Sequence, residues 1–443
     1  MPKVFKIRKG LNIKIKGESA KEILPFNASR FALKPDDFRW IVPKLLVNEG
    51  EAVKVGTPLF CDKENENLLF VSPASGTVKQ IVRGEKRKIE YVEIESDNRF
   101  ESVTIDIPPI TNAQNITLTL QKYGLWNTIR ELPFNRIARP NRSPKAIFIS
   151  GFDTAPLAPD VSYLIENQID TIQKGIDIIT HLSKGKIYLS LYKKANNDEL
   201  KTLSGIEFVY FTGKHPAGDV SVQIHKIYPI NKGEIVWYID LQSLIMIGKL
   251  FGNQKLDFSK KIAICGTGLE KRGYISIPQG AELSTFLSQN AKKGNYRIIS
   301  GNILTGKNIS QSPFAGYYHH QITVIPEGGQ RRLFGWLAPG FTLWSYSRTY
   351  LAWLFPWKKF NPNSSLNGGI RPVIFNTYYD NVFPFDIFPA QLLKACIAED
   401  IDLMENLGIY EVTEEDFALC EVICPSKIAW QEIILKGLTM LKD

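Results

Sequence analysis

Short apolar runs separated by glycine-containing turns fill the first hundred residues of the chain. The turns NEG, KVG and PASG divide residues 46–78, and a last β-rich run at 89–94 follows Arg83 and Gly84. Turn residues between short runs of alternating apolar and polar positions are typical of β hairpins. The pattern therefore predicts that residues 1–100, from Lys3 onwards, form a domain of folded-over hairpins.

Residues 101–257 alternate strands with helices. After a polar connector and a short helical stretch at 116–123, apolar residues recur every three or four positions from 161 to 179, which predicts one long amphipathic helix. Strands alternating with helices predict a mostly parallel sheet, so we expect a Rossmann-like domain. Apolar runs place its strands at 145–151, 187–192, 206–211 and 235–239, and a further helix at 241–250.

The last two parts of the chain are predicted to be a compact module and a helical tail. Residues 258–332 predict an α/β module of the β-grasp type, with strands at 262–265, 274–277 and 296–300 and a helix at 281–291. Residues 333–443 begin with aromatic residues and end in helices, and Thr413 with Asp416 predicts a capping pair. The tail helices are predicted at 389–398, 400–407, 414–421 and 426–441.

Composition restricts the class of protein. The 443 residues include 44% hydrophobic and 22% charged residues, which is typical of a soluble protein with several domains. No apolar run reaches the roughly eighteen residues of a membrane span, and the charged start lacks a signal peptide, so we expect a cytosolic chain. The net charge of +9 comes from dispersed lysines, which favours a membrane-adjacent partner and not nucleic acid.

The hairpins at 46–78 resemble the barrel-sandwich hybrid of biotinyl and lipoyl carrier domains. Carriers of this kind modify a lysine at a hairpin tip. The one lysine of the corresponding hairpin, Lys63, is followed by the insertion ENEN at 64–67 and lies far from the next turn at Pro73. We therefore expect an unmodified descendant of the carrier fold, and the alternative is a swinging-arm carrier.

The order of the four parts resembles a group of respiratory proteins. The chain is similar to the flavoprotein subunit of complex I, to the C subunit of the Rnf ferredoxin:NAD oxidoreductase and, most of all, to the A subunits of sodium-translocating NADH:quinone reductases. The motifs that carry the resemblance are KGL at 9–11, SPASG at 72–76, DTAPLA at 153–158, ISGN at 299–302, LTG at 304–306, NGG at 367–369 and DFALCEVICPSK at 416–427.

A glycine-rich loop that holds the FMN phosphate in the complex I and Rnf relatives is altered here. The corresponding stretch, 124–134, keeps only its first glycine, Gly124. Trp126, Ile129 and Glu131 would crowd or repel a phosphate, because only glycine lets the backbone approach it closely. We therefore expect this chain to bind neither FMN nor NADH.

The segment 213–218 follows a predicted strand, at the carboxyl edge of the sheet where open α/β folds bind ligands. It resembles the pocket segment Y-P-x-G-x-E of the flavin-binding relatives, with His215 in place of tyrosine and no glutamate after the glycine. His215, Pro216 and Gly218 are thus candidates for a quinone contact, with His215 as hydrogen-bond donor. The alternative, which we favour, is a turn with a solvated histidine.

Cysteines and histidines give no metal or catalytic pattern. Cys420 and Cys424, followed by proline, resemble half of an iron-sulfur ligand run, but such a cluster needs four thiolates, so we expect a degenerate motif kept for packing. The five cysteines are expected to be reduced. His319 and His320 are adjacent and would point to opposite faces of a strand. No catalytic residue and no metal site is predicted. The cysteines are Cys61, Cys265, Cys396, Cys420 and Cys424.

Aromatic residues accumulate between Trp336 and Trp357, where two lysines follow. Tryptophan beside lysine is enriched where a surface meets a membrane interface or a protein partner. The stretch is therefore either a docking element for a membrane-embedded partner or part of a core between domains. The docking candidates are Trp344, Trp353, Phe355, Trp357, Lys358 and Lys359.

The resemblance implies a role inside a complex. We expect a peripheral subunit, on the cytoplasmic face of the bacterial inner membrane, of a reductase that couples NADH oxidation and ubiquinone reduction to sodium export. NADH, flavins and iron centres would belong to the B to F subunits of that complex. This chain would dock on the membrane-embedded B subunit and possess no cofactor, with ubiquinone as a possible ligand. The alternative is an FMN- and NADH-binding flavoprotein subunit like that of complex I or Rnf.

Overall fold

Two small β-sheets form most of the N-terminal part. The computed structural model describes residues 3–110, 112–195, 198–329, 339–374 and 377–442. The first strands are β1 (Lys3–Ile7), β2 (Arg30–Leu33), β3 (Pro43–Leu45), β4 (Ala52–Val53), β5 (Pro58–Asp62), β6 (Leu69–Val71), β7 (Gly76–Arg83) and β8 (Ile89–Ser96). One antiparallel sheet has the order β2-β8-β7-β4 and the other β3-β5-β6. Phe31, Phe60 and Phe70 lie fully buried in their core. This sandwich is the one predicted from the glycine turns.

A seven-stranded sheet forms the centre of the molecule. Its further elements are α1 (Ala113–Lys122), β9 (Arg130–Leu132), β10 (Arg136–Ile137), β11 (Ala146–Ser150), α2 (Val161–Leu164), α3 (Ile169–Thr180), β12 (Lys186–Tyr192), β13 (Glu207–Gly213), α4 (Val220–Ile227), β14 (Val236–Asp240) and α5 (Leu241–Asn253). The order is β1-β13-β12-β11-β14-β9-β10. The first five strands of this order are parallel, β9 is antiparallel to β14, and β10 is antiparallel to β9, which confirms the predicted mostly parallel sheet.

The first strand does not belong to the sandwich, where glycine turns placed it. β1 pairs in parallel with β13, with Lys3 opposite Val209 and Ile7 opposite Gly213. Phe5 of β1 stacks on Phe211, with the ring centroids 5.4 Å apart. The chain thus begins the central sheet, leaves it to build the sandwich, and then returns.

The long helix predicted at 161–179 is two helices. Asp160 caps α2 by accepting a hydrogen bond from the Tyr163 N–H at 3.2 Å, and α2 ends at Leu164. Asn167 then adopts a left-handed conformation with φ of 60°, which an uninterrupted helix excludes, and α3 starts at Ile169. The apolar stripe continues because both helices pack on the same core.

A five-stranded mixed sheet follows. It contains β15 (Ser259–Cys265), β16 (Gly273–Pro278), α6 (Ser284–Asn290), β17 (Tyr296–Ser300), β18 (Lys307–Asn308) and β19 (Gln321–Pro326), in the order β16-β15-β19-β17-β18. The helix is shorter than the predicted 281–291, because Ala281 and Glu282 form β-bridges to Phe31 and Phe314. This module rests on the central sheet domain, where Lys261 donates from Nζ to the Tyr163 carbonyl at 2.8 Å.

The C-terminal part is helical, as predicted. Its helices are α7 (Tyr378–Val382), α8 (Pro389–Ala398), α9 (Ile401–Asn406), α10 (Ala418–Ile423) and α11 (Trp430–Met440). Thr413 and Asp416 form the predicted capping box, but it begins a single 3-10 turn, Glu414–Phe417, after which α10 starts. The helix predicted at 426–441 begins only at Trp430.

The predicted mixed α/β class, with an N-terminal barrel-sandwich hybrid and C-terminal helices, is confirmed. The domain boundaries after residues 100, 257 and 332 stay predictions, and residue 333 lies outside the described residues.

Candidate functional site

The carboxyl edge of the central sheet gathers polar side chains from distant parts of the chain. Strands β11, β13 and β14 end there, at Ser150, Gly213 and Asp240. Open α/β sheets bind ligands outside this edge. The C-terminal helices cover one side of it, where the Ser221 hydroxyl of α4 donates to the Asp416 carboxylate.

The loop that follows β13 is packed, not solvated. His215 is 4% exposed. Its backbone N–H donates to Asn12 Oδ1 at 2.9 Å, and its carbonyl accepts from the Leu11 N–H at 2.8 Å. A Cβ on Gly10, whose φ is +137°, would lie 2.2 Å from that carbonyl oxygen, so only glycine fits there. The expected turn with a solvated histidine is therefore wrong, because the N-terminal segment covers it.

The His215 side chain faces the loop after β11. Its Nδ1 lies 3.2 Å from Thr154 Oγ1 and 3.8 Å from Asp219 Oδ1. Burial lowers the pKa of His215 to about 4, so the ring is neutral at neutral pH and one of its nitrogens is a donor. Gly218 donates its N–H to Thr154 Oγ1 at 2.8 Å, and a Cβ on Gly218 would lie 2.5 Å from the Thr154 nitrogen. The structure thus brings His215, Pro216 and Gly218 together with Thr154.

Three aspartates meet beside this loop. Burial raises the pKa of Asp153, and burial together with the neighbouring carboxylates of Asp153, Asp416 and Glu415 raises the pKa of Asp219 well above its usual range. Burial also raises the pKa of Asp416 to about 7, although Ser221 and Thr413 donate hydrogen bonds to it. Burial at this edge of the sheet therefore favours the neutral form of all three carboxyl groups. Sequence reasoning missed this cluster, because Asp416 lies about two hundred residues from its neighbours.

On the other side of the edge, Arg130 lies between two tyrosine rings. Its guanidinium carbon is 5.2 Å from the Tyr238 ring centroid and 4.4 Å from that of Tyr318. Asn135 Oδ1 accepts hydrogen bonds from both the Arg130 guanidinium and the Tyr238 hydroxyl. A cation between two rings is a stable arrangement, and it holds the Arg130 side chain in place at this edge of the sheet. Arg130 lies in the stretch that replaces the glycine-rich loop. That replacement was the one feature of the sequence that could have drawn attention to Arg130.

The stretch 124–134 is core. Trp126 is fully buried, donates from Nε1 to the Ala138 carbonyl at 2.7 Å and packs against Trp237. A Cβ on Gly124 would lie 2.7 Å from Val71 Cγ2, so this glycine serves close packing against the sandwich. We expected Glu131 to repel a phosphate as a free charge, but Arg136 and Arg139 pair with its carboxylate. These residues do not fit a flavin phosphate cradle.

The aromatic stretch divides into packed and exposed residues. Trp344 packs partly against the C-terminal core. Trp353 and Trp357 are 47% and 72% exposed, and Phe355 is exposed as well. Lys358 donates to the Phe341 carbonyl, and Lys359 pairs with Glu18. Trp336, where the predicted stretch begins, lies outside the described residues.

The cysteines are buried and separate. Cys420 lies in α10 and Cys424 just after it, and both belong to the core of the C-terminal helices, where the Tyr379 hydroxyl donates to Cys424 Sγ at 3.4 Å. Burial raises the pKa of the Cys420 thiol well above its usual range. Within the described ranges, histidine, cysteine, aspartate and glutamate form no group of three or more that could hold a metal ion.

Two histidines pair with carboxylates that are remote in sequence, which the sequence did not indicate. His225 Nδ1 lies 2.7 Å from Glu411 Oε2, across the contact between α4 and the C-terminal helices. His320 Nε2 lies 3.6 Å from Asp240 Oδ1, at the end of β14. His319 instead has its Nδ1 2.9 Å from Ser300 Oγ. The first two contacts join distant parts of the chain, whereas the third lies within the five-stranded module.

In the part of the chain that the structure describes, none of the helices combines the length and apolar character needed to cross a bilayer.

Comparisons with known proteins match the whole chain. Three family descriptions match: "NqrA N-terminal barrel-sandwich hybrid domain" at 5–97, "NqrA second alpha/beta domain" at 111–256 and "NQRA C-terminal domain" at 261–311. The chain is 34% identical to the A subunit of the Na(+)-translocating NADH-quinone reductase of Pasteurella multocida, over 98% of this chain and 99% of that protein. The proteins of the same description from Rhodopirellula baltica and Neisseria meningitidis are also 34% identical, over 99% of this chain and 98% and 99% of theirs.

Among solved structures, the chain is similar to one described as "NAD+-reducing [NiFe]-hydrogenase in the H2-reduced state". The sequence identity is 11%, the likeness covers 69% of this chain and 55% of that chain, and the TM-score of 0.37 is too low to support an argument.

Proposed function

The chain belongs to the family of A subunits of the Na(+)-translocating NADH-quinone reductase, and we propose that it acts as a peripheral component of such a reductase and not as an enzyme alone. The observation that carries the proposal is the likeness to these subunits over the full length of both proteins. The reductase as a whole would pass electrons from NADH to ubiquinone and export sodium, with flavins and iron centres in the B to F subunits.

The exposed aromatic segment is the proposed docking element toward the membrane-embedded part, the B subunit, on the cytoplasmic face of the inner membrane. Single exposed apolar side chains are common, but a cluster of them in one segment marks an interaction surface. The residues proposed for that contact are Trp353, Phe355, Trp357, Lys358 and Lys359. Trp344 is not among them, because it already packs against the C-terminal core of its own chain.

Co-purification tests this role. We expect a tagged chain, co-expressed with the other subunits, to elute with them, and membranes that lack the chain to lose sodium-dependent quinone reduction by NADH. Trp353→Ser and Phe355→Ser should weaken co-elution, while Phe388→Ser, which removes a still more exposed ring from the start of α8, should not. A purified chain that oxidises NADH by itself would contradict the proposal.

A quinone contact at the carboxyl edge is a second candidate. Its support is the neutral His215 ring beside Thr154 and the raised pKa values of the buried Asp153 and Asp219, since quinone reduction consumes protons at a site with hydrogen-bond donors. Calorimetry with a quinone analogue on the purified chain tests it. We expect binding that His215→Gln weakens and Lys232→Gln leaves unchanged; an analogue that binds both variants alike would contradict this site.

We also propose that this chain carries no flavin of its own. The support is that Trp126 and the paired Glu131 occupy the position of the phosphate loop. The absorbance spectrum of the purified chain is expected to lack flavin bands, and a yellow protein with bound FMN would favour the complex I-like or Rnf-like alternative.

A further inference from the structure

One stretch of the chain has a net positive charge because its basic residues are not balanced by acidic ones. Between Glu327 and Asp380 the sequence has no acidic residue and six basic ones, so this stretch alone accounts for six of the nine net positive charges. The described part of it, 339–374, contains one short 3-10 turn, Leu351–Leu354, and is otherwise irregular. The segment therefore combines a cationic composition with an extended course along the surface.

Five residues of this stretch, together with Lys14, form a patch, which we call the cationic aromatic surface. The rings of Phe355 and Trp357 lie 5.8 Å apart, and the Arg348 guanidinium carbon lies 5.5 Å from the Trp353 ring centroid. Lys14 reaches the patch from the N-terminal segment, where it donates to the Pro356 carbonyl at 3.1 Å. The members are Lys14, Arg348, Trp353, Phe355, Trp357 and Lys358.

The three cations of this surface keep their charge unneutralised. Lys14 and Lys358 donate to backbone carbonyls, of Pro356 and Phe341, and Arg348 stacks on a ring. Among the residues that the structure describes, none of the three has a carboxylate within ion-pair distance, whereas the neighbouring Lys359 is paired with Glu18. Exposed indole and phenyl rings thus lie next to free positive charge.

We propose that the cationic aromatic surface binds the headgroup region of a bilayer that contains anionic phospholipid. Tryptophan and phenylalanine beside lysine and arginine suit the boundary between headgroups and acyl chains, where the rings are half immersed and the cations meet phosphate. The cores of protein interfaces, in contrast, are depleted of lysine. The proposal rests on the proposed function, in which the chain lies beside a membrane. It adds that the docking element contacts anionic lipid as well as the membrane-embedded subunit.

Vesicle sedimentation with the full-length purified chain, free of other subunits, tests the proposal. We expect binding to phosphatidylglycerol vesicles, little binding to phosphatidylcholine vesicles, and loss of binding as salt is raised. Lys14→Gln and Lys358→Gln should each weaken the affinity about fivefold. Trp357→Ser should weaken it at unchanged charge. The matched controls are Lys232→Gln and Lys436→Gln, which remove the same charge from other faces where the lysines pair with Glu405 and Glu399.

Equal binding to both vesicle types, no binding to either, or equal effects of surface and control variants would overturn the proposal. Thermal melting of each variant identifies any that fail to fold, and Trp357, at 72% exposure, is a safe site in that respect. A chain that binds the membrane subunits in detergent through these residues, but not lipid, contradicts this inference and leaves the proposed function standing. A chain that binds anionic vesicles but never elutes with the subunits contradicts the proposed function alone.

Discussion

Removal of the Glu131 carboxylate tests whether the stretch 124–134 is a structural core. Glu131 is 0% exposed. It accepts hydrogen bonds from Arg136 Nε at 2.9 Å, from Arg139 Nε at 3.0 Å and from the Arg139 backbone N–H at 3.1 Å. Arg136 is itself 9% exposed, so Glu131→Ala leaves a buried guanidinium without its counter-charge.

The size of the effect follows from that burial. Breaking a buried ion pair by removing one partner costs about 3–5 kcal/mol, because the remaining charge is left desolvated. Glu131→Gln keeps the shape and one acceptor but loses the charge, so we expect a smaller loss of about 1–3 kcal/mol. The exposed pair of Lys54 and Glu101 is the control, since Glu101→Gln should cost less than about 1 kcal/mol.

Urea unfolding followed by tryptophan fluorescence is the assay. Trp237 lies opposite Glu131 in the sheet, and its ring packs edge-to-face on Trp126 at 5.4 Å between centroids. These are two of the eight tryptophans of the chain, so part of the emission change reports on this part of the core. A chain of several domains can unfold in steps, and the relevant quantity is the midpoint of the transition that these tryptophans report. If Glu131→Ala shifts that midpoint no more than Glu101→Gln does, the structural account of the stretch is wrong.

Three further predictions follow from the carboxyl edge and the cores. The raised pKa of Asp416 means that the folded state holds a proton which the unfolded state releases above about pH 4. The free energy of unfolding should therefore fall as the pH rises toward about 7, by at most about 1.4 kcal/mol per pH unit, and level off beyond it. The variant Asp416→Asn should flatten this part of the pH profile of unfolding. Gly10→Ala places a Cβ against the His215 carbonyl at positive φ, so we expect a loss of about 1–3 kcal/mol in thermal melting, while Gly50→Ala, which has open space, should lose less. All five cysteines are buried, so a thiol reagent should label them only after denaturation, and rapid labelling of the native chain would contradict the packing.

The local elements could be read from the sequence, and the long-range contacts could not. β11, β12, β13 and β14 were predicted within a few residues, because buried parallel strands are continuous apolar runs. The break between α2 and α3 was missed, since the apolar stripe continues across the turn at Asn167.

The same limit applies to the candidate site. The position of His215 after a strand predicted its place at the carboxyl edge of the sheet, but its burial depends on Gly10 and Asn12, some two hundred residues away. The raised pKa values of the buried carboxyl groups and the position of Arg130 between two rings also require tertiary contacts that no local pattern shows. The sequence therefore indicates which residues lie at the carboxyl edge of the sheet, but not how their neighbours shift the pKa values there.

The pairing of β1 with β13 has a consequence for synthesis on the ribosome. The strand at residues 3–7 leaves the exit tunnel long before its partner at 207–213, so it must remain unpaired while the sandwich between them folds. The sandwich can fold early because its strands are neighbours in sequence, whereas the edge of the central sheet closes only once β13, about two hundred residues after β1, has been made. An alteration at the N-terminus, such as a fused tag, therefore perturbs the assembly of the central sheet and not that of the sandwich, although the sandwich follows it directly in sequence.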